Sequence, residues 1–309
     1  MGVWRCAMAG LVNTPMLDSG FWQGRRVLVT GHTGFKGSWL CLWLDRLGAK
    51  VSGLSLDPPT EPNMFGATRV GRVLERDIRA DIRDRELVNT TVKDLRPDIL
   101  FHLAAQPIVR RSYLDPVGTY ESNIIGLVNV LEAVRTGGSV NAVVNVTSDK
   151  CYENREWVWA YRENEAMGGD DPYSSSKGCA ELVTNAYRRS FLRGAGIHIG
   201  SARAGNVIGG GDWGEDRLLP DILRAVAGGF PIELRAPRAI RPWQHVLEPL
   251  FGYMKLAQAL RTEGERFSDA WNFGPDDAGA KSVEWVVRTY AAGKADLDWA
   301  FVGKEQPHE

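Results

Sequence analysis

Short apolar runs alternate with longer segments of helical periodicity through the first two thirds of the chain. Arg26-Val27-Leu28-Val29-Thr30 is an apolar run ending in a glycine cluster, the pattern of a buried strand. From Ser38 to Leu47, apolar residues (Trp39, Leu40, Leu42, Trp43, Leu44, Leu47) occupy most of the helical circumference and Gly48 follows, so a buried helix with a glycine terminator is predicted. The alternation continues with strands at Val51–Leu56, Asp77–Ala80, Ile99–Leu103, Ala142–Thr147 and His198–Arg203. Helices are predicted between them at Asp84–Lys93, Tyr120–Arg135 and Tyr173–Leu192. This order predicts an α/β protein with a doubly wound parallel sheet and helices on both faces.

Beyond Asn206 the texture changes. Glycine, proline and arginine cluster through Gly209-Gly210-Gly211, Pro220, Pro231, Pro237 and Pro242, which reads as a lid or substrate-binding subdomain with short helices. Residues 1–20 read as a disordered extension, with Met16 as an alternative start. The predicted division is a sheet domain over 21–205 and about 243–275, and a smaller C-terminal subdomain over 206–242 and 276–309.

Charge and composition narrow the function classes. The 37 Lys+Arg against 38 Asp+Glu leave a net charge of -1, which argues against nucleic acid or an anionic membrane as the whole chain's partner. No apolar run approaches the ~20 residues that cross a bilayer. Cys6, Cys41, Cys151 and Cys179 are scattered, with no CxxC pair and no zinc-like spacing, so a reducing compartment, the cytoplasm, is expected and no metal site is predicted.

Two motifs carry chemistry. Gly31-His32-Thr33-Gly34-Phe35-Lys36-Gly37 lies between the first strand and the first helix. Glycine permits a tight turn there and lets the backbone approach a diphosphate, while the helix start supplies free N–H groups. A strand before the turn and a helix after it point to a dinucleotide. Asp57, near the end of the second strand, is a candidate for the adenosine ribose, with a solvated turn residue as the equal alternative. No basic cluster follows that strand, which favours NAD over NADP.

The second motif is Tyr173 and Lys177, four apart on one helix face. A phenol is a poor base near neutrality, but an adjacent ammonium and a nicotinium ring both stabilise the phenolate. Tyr173 then takes a proton from a substrate hydroxyl as hydride leaves the same carbon, with Ser148 bonded to the substrate oxygen. Ser148 belongs to Val146-Thr147-Ser148-Asp149-Lys150, at the carboxyl edge of the sheet where such folds bind ligands. His32 and His245 lie inside motifs but read as hydrogen-bonded turn residues.

The glycine turn, Ser148 and Tyr173xxxLys177 together resemble the extended short-chain dehydrogenase/reductases, whose fold is Rossmann-like. Longer strings narrow the resemblance: Thr30 to Trp39, Ser148-Asp149-Lys150-Cys151-Tyr152, Arg203 to Trp213, and Arg241-Pro242-Trp243-Gln244-His245-Val246. They are similar to the nucleotide-sugar 4,6-dehydratases that act on CDP-glucose, over about Phe21 to Glu309, with the chain resembling a C-terminally truncated member. The resemblance implies NAD as cofactor, CDP-glucose as substrate, and an internal redox cycle that expels water. It implies Ser148, Asp149, Lys150, Tyr173 and Lys177 as catalytic residues, with Asp149 as acid and Lys150 as base or enolate stabiliser. The implied cofactor residues are Gly31, Thr33, Gly34, Phe35, Lys36, Gly37, Asp81, Ile82, Leu103, Ala104, Ala105, Gln106, Thr147, Tyr173 and Lys177. Ser148, Asn206 and Arg241 are the implied substrate contacts. A homodimer or dimer of dimers through the helices Tyr120–Arg135 and Tyr173–Leu192 is also implied. A nucleotide-sugar 4-epimerase and a non-catalytic dinucleotide-binding regulator remain alternatives.

Overall fold

In the computed structural model, residues 17–157, 159–275, 279–292 and the strand Trp299–Phe301 are described. Seven strands build the central sheet: β1 (Arg26–Thr30), β2 (Lys50–Ser55), β3 (Arg76–Arg79), β4 (Ile99–His102), β5 (Ala142–Val146), β6 (His198–Ala204) and β7 (Ala270–Phe273). Their order is β7-β6-β5-β4-β1-β2-β3, and every pairing is parallel. At β1 the register sets Thr30 opposite Leu54 on one side and His102 on the other. The chain winds outward from β1 through β3, then returns to β4 on the other side. The crevice at the carboxyl ends of β1 and β4 is therefore the topological switch point where doubly wound sheets bind ligands.

Both faces of the sheet are covered, because successive strand residues point to opposite sides. The helices are α1 (Phe35–Arg46), α2 (Arg85–Leu95), α3 (Gly126–Gly137), α4 (Pro172–Tyr187), α5 (Leu218–Gly228), α6 (Leu247–Thr262) and α7 (Val283–Ala291). Val27, Val29 and Phe101 face Leu40 and Leu44 of α1 and Met254 and Leu256 of α6. Leu28, Leu100 and Val143 face Val88 of α2, Leu127 and Leu131 of α3 and Ala180 of α4. Each such buried side chain stabilises the fold by about 1.5–3 kcal/mol relative to exposure. A third, smaller core of Ile222, Ile232, Leu234 and Val287 lies beneath α5 and α7. Around it, three short ribbons pair Val207–Ile208 with Gln244–His245, Ile240–Pro242 with Ala280–Ser282, and Ile232–Leu234 with Trp299–Phe301.

Several boundaries differ from the apolar pattern for identifiable reasons. Helix α1 starts at Phe35, inside the glycine cluster, so the cluster forms the helix start itself. Helix α3 is preceded by Pro116–Tyr120 and a π-helical turn at Glu121–Ile125, and α4 runs into another at Arg188–Leu192. Strand β7 is four residues long, Ala-Trp-Asn-Phe at the sheet edge, too short for alternation to register. Helix α6 is buried along most of its length and carries Pro249 in its first turn, where proline is tolerated. Residues 1–16 of the expected extension lie outside the described residues. Leu17 packs against the core, and the short helix Ser19–Trp22, capped by Asp18, stacks Trp22 on Phe101 with 6.3 Å between ring centroids.

Candidate active site

The turn from β1 into α1 is dictated by missing side chains. Gly31 has φ +76°, and a Cβ there would lie 2.7 Å from the Ala104 nitrogen. A Cβ on Gly37 would lie 2.2 Å from the Gly31 carbonyl oxygen. Glycine at these positions lets the turn close against the loop after β4, with Gly34 as the N-cap of α1. The N–H groups of Phe35, Lys36 and Gly37 then have no carbonyl partner within the helix and point, with the positive end of the helix dipole, into the crevice. That is a cradle for a diphosphate. The Thr33 hydroxyl turns to β2 instead, lying 2.8 Å from Ser55 Oγ and donating to the Leu56 carbonyl. His32 is fully buried with Nε2 2.8 Å from Asp77 Oδ1, a turn residue as expected.

The cradle's flanks are tied down by backbone and amide bonds. Leu103 N–H donates to the Thr30 carbonyl and Ala104 N–H to Thr30 Oγ1. Gln106 is engaged within its own loop: its N–H donates to Asn123 Oδ1 at 2.8 Å, its Nε2 to Thr119, and its Oε1 accepts from Ile108 N–H. Asn123, in the π-helical turn, also donates to Ser176 on α4. Beyond β3, the Arg83 guanidinium holds the Asp81 carboxyl below the usual carboxylate range. Ile82 packs against Gly126, where a Cβ would meet its side chain at 2.5 Å. The Asp57 side chain is 89% exposed and stands 3.8 Å from Arg79, a cation from the neighbouring strand.

Along α4, Tyr173, Lys177 and Glu181 follow one another a turn apart on the buried face. Asp171 caps the helix, and Tyr173 N–H donates to Ser112 Oγ at 3.1 Å. Burial pushes the Tyr173 phenol up to about 12, and the hydrogen bond with Ser148 pulls the other way. Lys177 Nζ lies 5.9 Å from the Tyr173 ring centroid. Burial lowers its ammonium to about 8, opposed by the Glu181 carboxylate.

Glu181 itself accepts from Thr147 Oγ1 at 2.5 Å, Ser201 Oγ at 2.7 Å and Arg203 Nη2 at 2.7 Å. Burial alone would raise its carboxyl, but these donors hold it below the usual range. Arg203 Nη1 reaches Tyr152 Oη at 2.7 Å, and that hydroxyl donates to Asn272 on β7.

Ser148, Asp149 and Lys150 form the turn after β5. Ser148 Oγ accepts from Lys150 N–H and donates to Asp149 Oδ1 at 3.1 Å. Gly205 lets the Asp149 carboxylate approach β6, since a Cβ there would lie 2.8 Å from Asp149 Oδ2. Burial raises the Asp149 carboxyl above its ordinary value, while Ser148, Lys150 and Arg241 oppose the rise. Burial also pushes the Cys151 thiol up to about 12, which leaves it inert near neutrality.

Opposite this turn stands Lys36. Burial and the neighbouring cations Arg217 and Lys177 lower its ammonium to about 8, with Asp149 and Asp212 opposing. Among the described residues no carboxylate lies within 4.0 Å of the Lys36 or Lys177 ammonium. Arg217, at the N-cap of α5, is bonded to Asp212 at 3.0 Å. Asn206 accepts from Gln244 N–H through its carbonyl, and Arg241 lies in the ribbon opposite Lys281.

Residues 27–273 match the NAD dependent epimerase/dehydratase family. The chain is 55% identical over 300 residues to the CDP-glucose 4,6-dehydratase of Salmonella typhimurium, covering 95% of this chain and 83% of that protein. The chain belongs to the NAD dependent epimerase/dehydratase family. A solved structure of MoeE5 in complex with UDP-glucose and NAD is 27% identical with TM-score 0.75, covering 90% of this chain and 85% of the other. The UDP-glucose-4-epimerase from Stenotrophomonas maltophila has TM-score 0.80 at 23% identity, covering 92% and 88%, a likeness of fold alone. The close approach at Gly31 and Gly37 fits the family's dinucleotide.

The structure brings Ser148, Asp149, Tyr173 and Lys177 together, with Lys36 and Arg241 within electrostatic reach of Asp149. Asp81 and Ile82 stand apart, beyond the end of β3. Thr147, implied as a cofactor contact, turns its hydroxyl to Glu181. The sequence reading assigns no role to Glu181, Arg203 or Arg217, although Arg203 heads one of the strings that carry the resemblance. Glu181 had a signal, being one turn beyond Lys177 on the same stripe; Arg217 had none.

Proposed function

We propose that this protein is an NAD-dependent hydro-lyase converting CDP-glucose to CDP-4-keto-6-deoxyglucose. The 55% identity to a CDP-glucose 4,6-dehydratase across nearly the whole chain carries the reading, and the Asp149–Lys150 pair beside Ser148 and Tyr173 supports it. NAD bound in the cradle would supply the hydride acceptor for sugar carbon 4 and, once reduced, the hydride donor for carbon 6, with no net redox change. Tyr173, whose phenol burial pushes up to about 12, would be ionised by the positive nicotinium ring together with Lys177, and then takes the proton of the carbon-4 hydroxyl while Ser148 holds the oxygen. The resulting ketone acidifies the hydrogen on carbon 5. Lys150 stands to remove that proton, or to stabilise the enolate as a cation. Asp149, whose carboxyl burial raises toward the protonated form, is assigned as the acid that donates to the departing carbon-6 oxygen, which leaves as water. A proton then returns to carbon 5, and the sum is sugar nucleotide less one water.

The N–H groups of Phe35 to Gly37 are assigned to the cofactor diphosphate, with Gly31, Thr33, Gly34, Leu103, Ala104, Ala105 and Gln106 shaping the cradle. Asn206, Arg241 and the added Arg217 are assigned to the sugar nucleotide, since guanidinium forks match phosphate oxygens. A homodimer through the helices around α3 and α4 is supported by exposed Leu114, Val117, Ile125 and Leu182, whose relative exposures are 87%, 67%, 51% and 60%. A cytoplasmic setting is supported by free Cys41, Cys151 and Cys179.

The test is mass spectrometry after incubation with CDP-, TDP- and UDP-glucose in parallel. Loss of about 18 Da, one water without net redox change, is expected from CDP-glucose. An isomer of unchanged mass would instead make the protein an epimerase.

A further inference from the structure

The second lobe, the part of the chain around the third core, contacts the sheet domain at several points, and one of these is a shared carboxylate. Asp216 Oδ1 accepts from Arg110 Nη1 at 3.0 Å and from Arg235 Nη2 at 2.7 Å. Arg110 belongs to the short helix Val109–Leu114 beside the cofactor loop, and Arg235 follows the ribbon strand Ile232–Leu234 of the third core. The three side chains are only 24–36% exposed, so water screens them less than a surface pair.

Two features make this carboxylate more than a fastening. Asp216 has φ +55°, in the left-handed region that non-glycine residues adopt at a cost, so its neighbours hold it there. The next residue is Arg217, the N-cap of α5, whose side chain makes no capping bond. Its guanidinium is turned instead to Asp212 and lies within electrostatic reach of Lys36 and Tyr173. At the other end, the helix carrying Arg110 also carries Ser112, whose Oγ accepts the Tyr173 N–H. The Arg110–Asp216–Arg235 triad thus joins the segment aiming Arg217 to the segment seating Tyr173.

We propose that Asp216 is a positioning residue that holds the second lobe against the sheet domain and so sets Arg217 for the substrate diphosphate. The proposal rests on the dehydratase reading of the site. It assigns Asp216 no contact with substrate or cofactor. Its removal therefore weakens capture of the sugar nucleotide, while leaving NAD binding and the chemistry of bound substrate largely intact.

The test compares wild type with Asp216→Asn, Asp216→Glu and Arg110→Gln, using CDP-glucose turnover, NAD affinity by fluorescence, and thermal midpoint. Asp216→Asn is expected to raise KM about 10-fold, with kcat changed less than 3-fold and NAD affinity unchanged. Asp216→Glu, which keeps the charge, is expected to recover at least half of that loss on the logarithmic scale. Arg110→Gln is expected to shift KM in the same direction. An unchanged KM in both Asp216→Asn and Arg110→Gln would overturn the proposal. So would a fall in kcat, NAD affinity and midpoint together, which marks a merely structural role. Wild-type protein inactive on CDP-glucose would instead refute the dehydratase reading, and the two failures are distinct.

Discussion

Two groups of buried charge share the inward face of helix α4, and they are built oppositely. In one, Glu181 and Arg203 are paired at 2.7 Å, each about 95% removed from water, with hydroxyls of Thr147, Ser201 and Tyr152 adding hydrogen bonds and Arg203 Nε left without a partner. In the other, Lys177 and Arg217 crowd Lys36; burial lowers both ammonium groups to about 8, aided at Lys36 by these neighbouring cations. The first group is closed: every charge has its answer within the protein. The second is open, because cations are held together with Asp149 and Asp212 as the nearby counter-charges. A fold that tolerates such crowding is prepared for an anion, and the diphosphates of a dinucleotide and a sugar nucleotide answer that description.

Breaking the closed group gives the largest effect. Arg203→Met leaves Glu181 buried without its cation, and a loss of about 3–5 kcal/mol in urea unfolding is expected. Replacing both partners, as in the double variant Glu181→Leu/Arg203→Met, is expected to recover much of that loss. If the single variant unfolds like wild type, the pair is not the closed unit its geometry describes.

The open group should respond with the opposite sign. Lys177→Met is expected to stabilise the NAD-free protein by about 2 kcal/mol at pH 7 while lowering turnover by at least about 100-fold. The pH dependence follows from the lowered value. Below about 8 the ammonium is charged in both states and the folded state bears the whole burial penalty. Between about 8 and the ordinary 10.5 the unfolded chain binds the extra proton, so stability rises with pH and the variant's advantage fades. Lys36→Met should behave likewise, with a gain of about 1–2 kcal/mol. Unfolding midpoints measured from pH 6 to 10.5 decide the matter; a lysine variant less stable than wild type at pH 7 would show that the cluster is already satisfied.

This contrast also explains how far the sequence could be read. The alternating apolar runs announced β1 to β6 and the helices between them, since covered strands at the centre of a parallel sheet need long apolar stretches. The glycine turn and the Tyr173–Lys177 spacing were legible because each is local: sterics of one turn, and one face of one helix. Glu181 is equally local, but carboxylates are common on helices, and nothing in the spacing says that this one meets Arg203 from β6. Arg217 and Asp216 were out of reach altogether, because their partners lie across the cleft: Lys36 of α1, Arg110 beside the cofactor loop. Long-range charge contacts leave no periodicity. Strand β7 failed for a simpler reason, as four residues with one buried side chain, Trp271, give no alternation to count.

The smallest expected effect tests the open cluster without mutation. CDP or pyrophosphate, added to the NAD-free protein, should raise the thermal midpoint, because a ligand that binds only the folded state stabilises it by mass action. At a few-fold excess over Kd the gain is about 1 kcal/mol. The diagnostic feature is its pH dependence. Lys36 and Lys177 are charged below about 8 and lose their protons above it, so the anion's stabilising effect should shrink between pH 7 and pH 9.5. Arginine keeps its charge throughout that range, so a phosphate held by Arg217 or Arg241 alone would stabilise equally at both pH values. A pH-independent shift would therefore move the anion site off the two lysines and onto the arginines of the second lobe, while a shift confined to the lower pH would fix it at Lys36 and Lys177.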